Sequence, residues 1–133
     1  MDETRIALAR ACLAASHDGS VAFPEIVGRL IAGGFEGYTV DYRRETQTFY
    51  LPDGDSVVLD MPQVPGPVAA TFDAAGVEAA VRWAQSGDPN YRFDAFSTRV
   101  KAAGCAGYIV SFPGRRVLYF GRTAETHLEL FPQ

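Results

Sequence analysis

The sequence predicts a single α+β domain made by internal duplication of a helix-helix-strand-strand unit, with a third strand in each copy. The antiparallel sheet should carry its helices on one face, about a pseudo-twofold axis. Three observations predict this. The chain has 133 residues, 47% hydrophobic and 21% charged, which is one globular domain's worth of foldable chain. Shifted by seventy residues, positions 4–62 lie over 74–132 without a gap and agree at twelve of fifty-nine positions; a random offset in such a composition gives about four. Within each copy the apolar period switches from 3.6 to 2, the signature of helices followed by strands.

The elements follow in order. Ile6, Ala9 and Leu13 stand at helical spacing, with Asp2 or Glu3 at the positive end of the helix. The second helix opens at Pro24, whose missing donor costs nothing in a first turn, and runs through Ile26, Val27, Leu30 and Ile31 to Gly33-Gly34. Tyr38, Val40 and Tyr42 then alternate with Thr39, Asp41 and Arg43, as in a half-buried strand. A turn at 43–46 leads into a strand at 48–51, and a turn at 53–55 into one at 57–61.

The second copy repeats this pattern. Its first helix follows an Asp73 cap with Val77, Val81 and Ala84, and its second uses Phe93, Phe96 and Val100 before Gly104. Tyr108, Val110 and Phe112 repeat the first strand's face, and strands at 117–120 and 126–131 complete the unit. Between the copies, QVPGPVAATFD (63–73) has neither period and reads as a connector. Fifty-nine residues alone are marginal and would leave an unpaired strand edge, so both copies should share one core. One continuous sheet is the first expectation and two facing sheets the alternative.

Several function classes are excluded or disfavoured at this level. A formal charge of −4, from 12 basic and 16 acidic groups, lacks the basic footprint of a nucleic-acid or anionic-membrane binder. It conceals an asymmetry: the first copy has five basic and eight acidic residues, the second seven and five. Asp2, Glu3 and an Arg10 interruption argue against a signal peptide, and no apolar run is long enough to span a bilayer. Cys12 and Cys105 sit unpaired in apolar segments, which suits reduced thiols in a cytoplasm. Eleven of twelve basic residues are arginine, a codon bias that points to a bacterial source.

Familiar catalytic motifs fail. Gly33-Gly34-Phe35-Glu36-Gly37 follows a helix and precedes a strand, the reverse of a phosphate loop. Asp53-Gly54-Asp55 lacks the later ligands of a calcium loop. Two histidines and two scattered cysteines make no closed zinc site, so neither metal nor cofactor is expected. What is left is the tail. In an extended strand His127 and Glu129 share one face and Leu128 and Leu130 the other. The first copy has Val57 and Leu59 at the two corresponding positions, so an apolar pair has been exchanged for an ionisable one. In the plain reading that face is the wet side of an edge strand; in the functional reading Glu129 orients His127 as a general base. Tyr119 would stand beside them, and Arg122 or Arg116 would meet an anionic substrate. Arg115, Arg116 and Arg122 also form a basic corner that a solvated turn explains, and Tyr38 with Tyr108 could floor a pocket but at period 2 suit a core.

The stretches FPEIVGRLIAGGFEGYTVDYRRETQTFY and GYIVSFPGRRVLYFGRTAETHLELFP, and the terminal His127, Glu129, Phe131 and Pro132 as H-x-E-x-F-P, carry a further signal. Across the whole chain the sequence resembles a family of small bacterial and prophage-encoded proteins of unknown function, some catalogued as phage-envelope-like. The resemblance implies no reaction, cofactor or partner, but it draws attention to His127 and Glu129. The expected function is a non-enzymatic interaction module in the cytoplasm, acting on a protein partner or a second copy. The alternative is a small-ligand binder or hydrolase-like enzyme with its site at His127, Glu129, Tyr119 and Arg122.

Overall fold

A computed structural model describes residues 1–132. Helix α1 (Glu3–Asp18) begins where Asp2 accepts from the Arg5 amide at 2.8 Å, and ends at Gly19, whose φ of 75° is the left-handed turn that glycine permits. Helix α2 (Phe23–Ala32) carries Pro24 in its first turn. Strands β1 (Gly37–Asp41), β2 (Thr46–Tyr50) and β3 (Ser56–Asp60) follow. Helix α3 (Ala74–Gln85) starts at the expected Asp73 cap, which accepts from the Gly76 amide at 3.1 Å. After α4 (Phe93–Ala102) come β4 (Cys105–Ser111), β5 (Arg116–Gly121) and β6 (Thr126–Leu130).

The fold is α+β, with four helices and one six-stranded sheet of order β3-β2-β1-β4-β5-β6, antiparallel at every pairing. The single-sheet expectation holds, and two facing sheets do not form. Strand β2 starts two residues earlier than the sequence suggests because Asp41 Oδ1 accepts from the amides of Arg43 and Arg44, tightening the turn so that Asp41 faces Thr46. At the sheet's centre β1 pairs with β4 so that Thr39 faces Ile109, seventy residues on. Tyr38 faces Val110 on one side of that pair, and Val40 faces Tyr108 on the other.

The helices cover one face. Tyr38, Val40, Phe49, Leu59, Tyr108, Val110, Val117 and Tyr119 are buried on it, against Ala9, Leu30, Val77, Phe96 and Val100 from the helices. On the opposite face Val58, Ile109, Leu128 and Leu130 stay exposed. The connector is tied to the domain rather than loose: Lys101, buried in α4, donates to the Val64 carbonyl at 2.8 Å, and the Asp73 amide donates to the Ala103 carbonyl at 2.7 Å. Among the described residues no helix is long and apolar enough to cross a membrane.

Candidate functional site

Between the sheet and the helices lies a cavity of about 600 Å³, within the range that small-molecule sites occupy. Its floor is the inward face of the central and right-hand strands: Tyr38 on β1, Tyr108 and Val110 on β4, Val117 and Tyr119 on β5. Val81 and Ala84 of α3 and Phe93 and Phe96 of α4 form the walls. The loop after α1, the loop after α3 and the terminal Leu130, Phe131 and Pro132 make the rim. One side of that rim is braced by Trp83, whose Nε1 donates to Asp88 at 2.8 Å while the Arg99 guanidinium lies 3.8 Å from its ring centre. The Trp83 hydrogen bond, chiefly, holds the Asp88 carboxyl below the usual carboxylate range.

The polar character of the floor comes from tyrosines. Tyr108 and Tyr119 are directly opposed across β4 and β5, ring centres 5.1 Å apart, as the pleat requires of a facing pair. Tyr42, which does not line the cavity, has its hydroxyl paired with Ser97 Oγ at 3.0 Å. Tyr38, Tyr108 and Tyr119 line the cavity, and among the described residues their hydroxyls make no hydrogen bond to protein and, unlike the His17 nitrogens, are not sealed from solvent. Burial pushes all three well above the ordinary tyrosine range, and Tyr91 at the rim up to about 12, so each remains a neutral hydrogen-bonding group.

The tail pair takes a geometry that corrects the plain sequence reading. The face carrying His127 and Glu129 is the inward one, and Leu128 and Leu130 point out to solvent. The reason is Arg82, reaching across from α3. Its Nη1 and Nη2 donate to Glu129 Oε2 and Oε1, both at 3.1 Å, in a forked pair, and His127 Nε2 donates to Glu129 Oε1 at 2.8 Å. A carboxylate with both oxygens engaged tolerates burial that a lone one would not.

The four residues singled out from the sequence therefore separate. Tyr119 and Glu129 line the cavity; His127 lies behind Glu129 and outside the wall. Arg122 is remote, donating to the Val68 carbonyl of the connector at 3.3 Å; Arg115 lies in the β4–β5 turn and Arg116 at the start of β5, and neither lines the cavity. Arg82 is not among the residues that the sequence points to, since an arginine on the exposed side of a helix is ordinary and its partner comes from a distant strand. Cys12 and Cys105 are free and buried, and burial raises both thiols, Cys105 to about 11, so neither is a thiolate nucleophile. Among the described residues no cluster of three or more His, Cys, Asp or Glu could hold a metal ion. No protein-family model matches the chain, and no curated protein is significantly similar to it.

Proposed function

We propose that this protein is a non-enzymatic binding module that holds a small molecule in the cavity between its sheet and its helices. The observation that carries the reading is the set of three unpartnered tyrosine hydroxyls opening into a volume of about 600 Å³. These hydroxyls are open to the cavity rather than sealed from solvent, so they are free to bond a ligand that enters it. Acid–base chemistry at the tail is disfavoured because His127 faces Glu129 rather than the cavity, and Arg82 already occupies the carboxylate.

We further infer that the site arose by duplication and divergence of one half. In support, every ladder recurs seventy residues on: Tyr38 faces Phe49 and Tyr108 faces Tyr119; Phe49 faces Val57 and Tyr119 faces His127. The Tyr42 amide donates to the Ala106 carbonyl, and the Phe112 amide to the Glu36 carbonyl, a reciprocal pair of the kind a twofold axis generates. On this reading Cys12, Val57 and Leu59 are the apolar forerunners of Arg82, His127 and Glu129. The resemblance of the H-x-E-x-F-P ending is the ground for assigning the chain to the prophage-encoded family, and the reduced thiols are the ground for a cytoplasmic location.

Filling the cavity tests the function. Ala84 points from α3 into it, and a ring at that position occupies ligand space. With the neutral fluorescent probe N-phenyl-1-naphthylamine, the native protein is expected to give saturable binding, and Ala84→Phe to bind at least about tenfold more weakly with an unfolding midpoint equal or higher. Equal binding by both proteins would refute the cavity as the site.

A second reading, a protein partner or self-association, is favoured by the exposed face: Leu128 is 46% and Leu130 60% accessible beside Ile109 at 44%. If that face is an interface between copies, sedimentation velocity will show concentration-dependent association that Leu128→Lys removes.

A further inference from the structure

Resting on the ligand-binding reading, we propose that the cavity takes a ring-containing molecule whose polar group is a neutral accepting oxygen, a ketone carbonyl or a hydroxyl, and that it discriminates against acids. The walls set the apolar part. Phe93 and Phe96 from α4 and Val81 from α3 stand over a floor that includes Val110 and Val117, surfaces suited to the face of a flat ring.

The floor sets the polar part. Tyr38, Tyr108 and Tyr119 each bring an O–H with no acceptor among the described residues. Tyr108 and Tyr119 face each other across one ladder, and Tyr38 stands on the neighbouring strand opposite Val110, two residues along from Tyr108, so all three share one floor. An oxygen acceptor laid on that floor beside the facing pair Tyr108 and Tyr119 gives their hydroxyls a partner. A hydrocarbon of the same shape leaves those donors unsatisfied, and discrimination of that kind is large because the penalty falls on buried groups.

Negative charge is excluded by what surrounds the tyrosines. The one buried carboxylate on the wall, Glu129, is already paired with Arg82 and His127. Asp88 at the rim is held by the Trp83 indole and accepts from the Asn90 amide at 2.8 Å. A ligand carboxylate therefore finds no free cation and meets two carboxylates, Glu129 and Asp88, so it brings an uncompensated negative charge into the enclosure.

Three probes sharing one ring system test this by equilibrium dialysis: 2-acetylnaphthalene, 2-ethylnaphthalene and 2-naphthoate. The ketone is expected to bind about tenfold tighter than the hydrocarbon, and the carboxylate most weakly of the three. The double variant Tyr108→Phe with Tyr119→Phe, which keeps the packed rings, should erase most of the ketone's advantage while leaving 2-ethylnaphthalene unchanged. Equal binding of all three, or tightest binding of 2-naphthoate, overturns the ligand class and leaves the binding reading standing. Binding of none of them by the native protein overturns that reading, and this inference with it.

Discussion

Replacing Gly107 by alanine is expected to lower the unfolding midpoint by about 10 °C, a loss of about 3 kcal/mol for a domain of this size. Gly107 lies on β4 at the seam with β1, where a methyl group would run into the Val40 carbonyl and the Phe120 ring. Gly37 stands in the reciprocal place on β1, where a methyl group would run into the Val110 carbonyl. Gly37→Ala should therefore cost a similar amount. Neither strand can retreat, because each is hydrogen-bonded on its other side as well, to β2 or to β5. Gly28 is the control: it lies on the exposed side of α2 with open space around it, so Gly28→Ala should raise stability by about 0.5–1 kcal/mol through helix propensity alone. Thermal melts of the three variants check this, and a mild effect at Gly37 or Gly107 would mean that the central strands are not so closely apposed.

His17 should give the opposite result, a gain on replacement. It sits near the end of α1, 8% exposed, with its ring 4.4 Å from that of Phe93 and neither nitrogen hydrogen-bonded among the described residues. An unsatisfied buried polar group costs about 1–3 kcal/mol, so His17→Leu should raise the midpoint by several degrees at neutral pH. Burial also lowers its pKa from 6.5, with the Asp94 carboxylate pulling weakly the other way. The unfolded chain thus takes up a proton before the folded one does, and stability rises with pH across that interval. As pH falls through 6.5 the native protein should lose stability, levelling off below the folded-state value. In His17→Leu that part of the acid limb should vanish, and an unchanged limb would show that other groups carry it.

The reading of the fold from sequence succeeded where periodicity and termini carry the information. Asp2 and Asp73 cap their helices, Pro24 opens one, and the alternation through Tyr38, Val40 and Tyr42 marks a strand with one buried face. Strand limits were less legible, because the Asp41 turn that sets β2 depends on side-chain hydrogen bonds and not on a period. The site was half legible. Tyr119 and Glu129 come together at the cavity, but in T-H-L-E-L alternation alone cannot say which face is inward, and the usual rule chooses the leucines. Arg82 reverses that choice from another element, and an arginine on a helix carries no mark that its partner will be buried. Of the cavity only the floor was hinted at, by Tyr38 and Tyr108, which at period 2 suit a core; the space itself is a shortage of side-chain volume between elements that are each ordinary.

The claim that the tyrosine-floored cavity is where this protein binds its ligand is tested most directly by mapping chemical-shift changes in an assigned amide NMR spectrum during titration with 2-acetylnaphthalene. Changes centred on Tyr38, Val81, Ala84, Tyr108 and Tyr119, with Val58, Ile109 and Leu128 on the exposed face unmoved, are the result expected. Changes confined to that exposed trio, or none at saturating probe, would contradict it.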